Sequence, residues 1–281
     1  MALIIDGKKI RDHNLAIMKK EVEELNSKNI YPCLCVIIVG NDPASRVYVN
    51  NKKKACENIG ILSREYALPT DTETSELLAL IDKLNNDEEV SGILCQLPLP
   101  VQIEEKTVLE RISPEKDVDC FHPYNVGKLV QGDAVLKPCT PNGIITMLDY
   151  MGYNIEGKNC VVIGRSNIVG KPMAQLLMER NGTVTVCHKK TIDLKNITSR
   201  ADLIVSSVGK PKFLTADMVG EGAVVIDVGM NRDENGNLCG DAVYDEVEKK
   251  ASMITPVPGG VGPMTITMLM KNTILAEKIK N

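Results

Sequence analysis

Histidine occurs only three times in this chain, at His13, His122 and His188, and no two stand at the spacing of a helical metal site. Proton transfer, if the chain performs any, must fall to another residue type. Paired C-x-x-C spacing is also missing: the nine cysteines are odd in number, scattered, and mostly embedded in apolar runs such as CLCVIIV, GILCQ and TVTVC. That distribution suits small buried side chains in a reducing compartment, and it argues against both a disulfide framework and a metal. No apolar run approaches the roughly 20 residues that a membrane span needs, and MALIIDGKKIRDHN carries charges where a secretory leader has its apolar core. A net charge of −4 gives no global attraction to nucleic acid or to an anionic membrane, so any anion site must be built locally. These absences lead us to expect a soluble cytoplasmic protein with no nucleic-acid or membrane partner.

What the chain does have is alternation. Leu15, Met18, Val22 and Leu25 mark a helix over about 8–28, and Cys33 to Val39 is an apolar run of strand length. A helix ending at Gly60 follows, then a weaker strand over 61–68, a helix after Thr74, and a short strand from Gly92 to Gln96 that LPLP terminates. Residues 111–141 read as irregular. A second series then begins with a helix over 140–151 and has strands near 160–164, 183–187, 203–206, 223–228 and 253–255, with a turn at Asn235-Gly236 and a last helix over 265–280. The pattern predicts an α/β fold of two domains, each with a parallel sheet whose ligand sites lie at the carboxyl ends of its strands. We place the first domain at 1–120, joined by the last helix, and a Rossmann-like nucleotide-binding domain at 121–264.

Two stretches bear on chemistry. In VGNDPASRVYVNNKKKAC, Asp42 is a fitting N-cap with Pro43 at the first helical position, and Tyr48 and Lys52 lie four apart on one helical face. An amine beside an aromatic ring can be an active centre. A surface lysine draping its stem over a tyrosine gives the same pattern, and the stretch alone favours that reading. The second stretch, GRSNIVGKP, follows the strand NCVVIG and opens a helix, with Gly164 and Gly170 where backbone must turn or approach closely. Ser166 holds the second glycine position of G-x-G-x-x-G, so the match is imperfect and an ordinary tight turn remains equally open. The next strand ends in Cys187-His188-Lys189-Lys190 with no acid to hold ribose hydroxyls. Arg165 with Lys189 and Lys190 forms a local cationic site suited to the extra phosphate of NADP, although either lysine taken singly reads equally well as a solvated residue at a strand exit.

With these pieces assembled, the chain closely resembles the bifunctional methylenetetrahydrofolate dehydrogenase/methenyltetrahydrofolate cyclohydrolase family. The likeness runs through GILCQLPLP, PEKDVDCFHPYNVG, KPCTPNGI, GRSNIVGKP, VVIDVGMNR and ITPVPGGVGPMT, nearly the whole sequence. It implies NADP-dependent oxidation of 5,10-methylenetetrahydrofolate followed by hydrolysis of the methenyl product to 10-formyltetrahydrofolate, by a homodimer acting in one-carbon metabolism. By resemblance Lys52 is the catalytic base, Tyr48 and Gln96 shape the folate site, and Asp119 holds the pterin. The loop of Pro258, Gly259, Gly260 and Gly262 is implied beside the folate, although the same residues suit a hinge. Gly164, Arg165, Ser166, Ile168, Gly170, Lys189 and Met230 are implied at the nucleotide. Two positions depart from the family pattern. Cys120 stands where a glycine is expected after Asp119, which restricts the backbone if that position has positive φ, and Lys189 stands where serine is common. Alternatives of other kinds are an NAD(P)-dependent dehydrogenase of another small substrate and a nucleotide-binding regulator without catalysis.

Overall fold

The computed structural model describes residues 1–280 and divides into two compact units. The first unit comprises Met1–Asp12 and Thr140–Thr265; the second comprises His13–Cys139 and the chain from Ile266 onward. This differs from the expected division at 120/121. The first residues belong with the nucleotide-type unit because β1 (Leu3–Ile4) pairs in parallel with Met253–Ile254. Residues 121–139 belong with the second unit and are only partly irregular: Pro123–Gln131 is a helix, capped by the His122 side chain at its start and by Gly132 at its end, and 132–138 form no regular element. The proline that reads as a turn signal sits at the first helical position, where its missing N–H costs nothing.

In the second unit a three-stranded parallel sheet has the order β3 (Leu62–Leu68), β2 (Cys33–Val39), β4 (Gly92–Cys95). All seven residues of β2 are buried, as an unbroken apolar run on a central strand must be. Helix α1 (Gly7–Asn26) precedes the sheet and is shared between the units. Helix α2 (Pro43–Ile59) follows β2 directly, its start fixed by the Ser45 N–H donating to Asp42 Oδ2 at 2.7 Å and its end by Gly60 in the left-handed region. Helices α3 (Thr74–Asn85), α4 (Glu105–Arg111) and α5 (Pro123–Gln131) complete this unit with the later part of the last helix. Leu77, Ile81 and Leu84, on one stripe of α3, are buried against the sheet's core residues.

The first unit contains α6 (Cys139–Tyr150) from Thr140, then β5 (Asn159–Ile163), α7 (Gly170–Glu179), β6 (Thr183–Cys187), α8 (Leu194–Thr198), β7 (Leu203–Ser206) and β8 (Val224–Asp227). A hairpin of β9 (Asn231–Arg232) and β10 (Leu238–Cys239) closes around Asn235-Gly236, followed by α9 (Tyr244–Val247) and β11 (Met253–Ile254). The parallel sheet runs β1-β11-β8-β7-β5-β6. Strand order therefore reverses between β5 and β7, and a crevice outside the carboxyl ends of those two strands is where an open α/β sheet binds its ligand. The last helix, α10 (Val261–Lys280), starts four residues earlier than the sequence suggests, because Pro263 falls in the first turn where no helical donor is required. Among the described residues no helix is long and apolar enough to cross a membrane.

Candidate active site and nucleotide site

In the second unit, three of the residues singled out from the sequence come together. Lys52, on the third turn of α2, donates from Nζ to Gln96 Oε1 at 2.7 Å. Gln96 follows the last residue of β4, and its Nε2 donates to the carbonyl of Leu97 at 2.6 Å, so the amide is locked with its oxygen toward the amine. Asp119 is close enough that Lys52 and Asp119 influence each other's charge. Desolvation lowers the Lys52 pKa from the usual lysine value, with Asp119 and then Cys139 opposing the fall. Desolvation likewise raises the Asp119 carboxyl, and the Lys52 ammonium pulls it back. Tyr48 stands one turn before Lys52 on α2 and is 40% exposed.

The segment bearing Asp119 is held from three directions. Asp117 pairs with Ile93 in an isolated parallel bridge, and the Ile93 N–H donates to Lys116 O at 2.8 Å, which lays the segment along β4. The buried Asp117 carboxylate accepts from the His122 N–H at 2.8 Å and from Asn125 Nδ2 at 2.9 Å. From α10, Asn272 Nδ2 donates to both Val118 O and Lys137 O at 2.8 Å, tying the Asp119 segment to the one that carries Cys139. Cys120 adopts φ 63, the conformation for which a glycine was expected. The replacement therefore leaves the turn in place and has the thiol buried at 1% exposure. Cys139, whose thiol pKa burial and then Asp119 push well up, lies beside Asp119 and donates to Val118 O. The motif KPCTPNGI by itself gives no sign of this placement of Cys139, and Asn272, which bonds both segments, lies far along the chain.

The first unit carries the nucleotide-type elements. Gly164 leaves β5 at φ 130, and a Cβ on Gly170 would fall 2.2 Å from the Gly164 carbonyl oxygen, so the start of α7 can pack on the strand end only without a side chain. Ser166, at the second glycine position, accepts through Oγ from the N–H groups of Val169 and Gly170 at 3.2 and 3.3 Å. Those two amides are thus engaged by the turn itself. Ile168 is about half exposed on the same turn. A cavity of 510 Å³ opens at the β5/β7 crevice and is lined by Gly164, Arg165, His188, Lys189, Lys210 and Phe213 among others. Lys190 does not line it. Met230 is exposed and its sulfur lies 3.6 Å from where a Cβ on Gly262 would be. In the loop before α10, a Cβ on Gly260 would meet the Pro256 carbonyl at 2.5 Å, which accounts for glycine there. Gly259 has φ 108, and Pro258 precedes it after a cis peptide bond.

The profile of the tetrahydrofolate dehydrogenase/cyclohydrolase catalytic domain matches residues 5–119, and that of the family's NAD(P)-binding domain matches residues 138–281. The chain belongs to the tetrahydrofolate dehydrogenase/cyclohydrolase family. It is 59% identical over 278 residues to the bifunctional protein FolD of Lachnoclostridium phytofermentans, with 99% of both chains covered. Among solved structures it resembles the bifunctional FolD of Campylobacter jejuni, with TM-score 0.98, 49% identity and 100% of each chain covered. It is also similar to the Trypanosoma brucei methylenetetrahydrofolate dehydrogenase-cyclohydrolase solved with NADP and an inhibitor, with TM-score 0.94, 38% identity and coverage of 99% and 98%.

Proposed function

We propose that this family member oxidises 5,10-methylenetetrahydrofolate with NADP and hydrolyses the methenyl product, using Lys52 as the base of the second step. The observation that carries the reading is the Lys52–Gln96 hydrogen bond beside Asp119, in a setting that favours a neutral amine. A lysine accepts a proton only when neutral, and both desolvation and a cationic methenyl group next to it move it in that direction. As water's oxygen bonds to the methenyl carbon, Lys52 takes a proton from it. The bond from that carbon to N5 then breaks, leaving the formyl group on N10; one of water's protons ends on N5 and the other leaves through Lys52. Gln96 orients the amine without adding charge. Asp119 offers two oxygens to adjacent N–H donors of the pterin, and Tyr48 bounds the folate site.

The cavity at the β5/β7 crevice fits NADP in its chemistry. Its lining brings Arg165, Lys189 and Lys210 to one place beside apolar Phe213, with no acid among the lining residues. NADP, when bound, supplies the hydride acceptor for the oxidation. We assign Arg165 and Lys189 to its 2′-phosphate, the Gly164–Gly170 turn to its pyrophosphate, and Met230 to the nicotinamide end. The family context also supports a homodimer that works in the cytoplasm and supplies formyl groups for purine biosynthesis.

The test is Lys52→Met in the purified full chain, assayed separately for methenyl hydrolysis and for NADP reduction. Hydrolysis should fall by at least the 10²–10⁴-fold typical of a lost general base, while hydride transfer partly survives because it needs no proton acceptor. In the wild type the hydrolysis rate should rise with pH and level off above the lowered Lys52 pKa. Near-wild-type hydrolysis in the variant would remove Lys52 from this role.

A further inference from the structure

Strands β7 and β8 end side by side at Ser206 and Asp227, and two buried carboxylates lie at and just beyond those ends. Asp241 is fully buried and receives four hydrogen bonds. Its Oδ2 accepts from Ser206 Oγ at 3.0 Å and from the Val208 N–H at 2.7 Å. Its Oδ1 accepts from the Lys210 N–H at 3.1 Å and from Asn231 Nδ2 at 2.9 Å. Asp241 is itself fixed by Asp227, whose Oδ1 accepts from the N–H groups of Asp241 and Gly229 at 2.9 Å and whose Oδ2 accepts from the Ala242 N–H at 2.8 Å. Val208 and Lys210 line the 510 Å³ cavity, and Asn231 directly follows Met230.

We propose that Asp241 is a positioning residue for the nucleotide reaction: its carboxylate fixes the 208–210 wall of the cavity and ties that wall to the segment bearing Met230. The inference rests on the nucleotide reading of this cavity. A carboxylate is required because all four neighbours donate, and only an acceptor-only group with two equivalent oxygens can satisfy them. An asparagine cannot. If its NH2 replaces Oδ1, the Asn231 amide can flip to present oxygen, but the Lys210 N–H has no such freedom. If it replaces Oδ2, the Ser206 hydroxyl can rotate to accept, but the Val208 N–H cannot. In either orientation one amide of the cavity wall faces another donor and the wall must move.

The experiment titrates NADPH into the wild type, Asp241→Asn and Ser206→Ala, and measures methenyltetrahydrofolate hydrolysis, which uses no nucleotide, in each. Asp241→Asn should weaken NADPH about tenfold or more, while Ser206→Ala, which leaves both wall amides bonded, stays within about threefold. Hydrolysis should persist in both variants, reporting an intact fold. Wild-type affinity in Asp241→Asn, an equal loss in Ser206→Ala, or a parallel loss of hydrolysis would each overturn the proposal. A readout that needs no variant is amide hydrogen exchange: Val208 and Lys210 should exchange slowly in the nucleotide-free wild type, and fast exchange there would overturn it too. A wild type that hydrolyses the methenyl substrate yet binds no NADPH overturns the nucleotide reading itself, a failure distinct from any of these.

Discussion

At the scale of single residues, charge and hydrogen-bond direction decide what each position can do. Arg165 lines the crevice cavity as one of three cations, and no acid shares that lining. A hydrogen bond to a charged group contributes about 1.5–3 kcal/mol, roughly 10- to 150-fold in affinity. Arg165→Ala should weaken NADP by an amount in that range and leave NAD, which lacks the phosphate, nearly unaffected, with Lys189 softening the loss. kcat/KM with each cofactor at low salt is the measurement, since screening shrinks such contacts. Equal losses for both cofactors would mean that Arg165 shapes the turn and does not read the phosphate. Lys52, Gln96 and Asp119 could be picked out in the sequence only through the family resemblance of their motifs, since the Tyr48–Lys52 spacing alone favours a surface lysine. Asp241, Asn272 and Cys139 could not be: their partners are 10 to 154 residues away, and one sequence gives no sign of which distant carbonyl or amide a buried polar side chain meets.

At the scale of elements, strand ends and helix starts are where the fold meets the chemistry. Long apolar runs made β2, β5 and β7 readable almost to the residue, and Asp42 and Gly60 bracketed α2 from cap chemistry alone. The two-residue strand β1 and the nine-residue helix α5 escaped because neither is long enough to show a period; β1 exists through its pairing with β11. The end of β8 carries a pH-dependent strain. Burial, partly offset by backbone donors from Ala242, Asp241 and Gly229, raises the Asp227 pKa to about 6 from 3.8. The folded state then holds this proton more tightly than the unfolded chain. The resulting stability is fully present below the unfolded value and is lost as pH rises from about 4 through about 6, by roughly 3 kcal/mol. The stability difference between wild type and Asp227→Asn, followed by denaturant unfolding from pH 4 to 7, should therefore shift against the wild type as pH rises. A difference independent of pH would show that Asp227 does not titrate in this window.

At the scale of the whole molecule, neither unit is one continuous stretch of chain: the first residues complete a sheet whose other strands come from residue 159 onward, and the chain from Ile266 returns to the unit of His13–Cys139. Removing residues 1–6 would delete β1 and the backbone bonds from Ala2, Leu3 and Ile5 to Glu248, Ser252 and Ile254. It would also remove Ile5, which is fully buried although Leu3 and Ile4 are more than half exposed. Burying such a side chain contributes about 1.5–3 kcal/mol, a large share of the roughly 5–15 kcal/mol by which proteins are stable. Truncation should therefore lower the unfolding free energy by at least about 2 kcal/mol, and Ile5→Ala alone by about 2–5 kcal/mol. Binding should respond differently. β1 is an edge strand, with β11 and β8 between it and the β7 side of the crevice, and none of residues 1–6 lines the cavity. NADPH affinity at low temperature, where the shortened chain remains folded, should stay close to that of the full chain. Stability unchanged by the deletion would show that the β1 pairing does not hold in solution, and affinity lost in proportion to stability would show that the sheet edge and the crevice are coupled as one body.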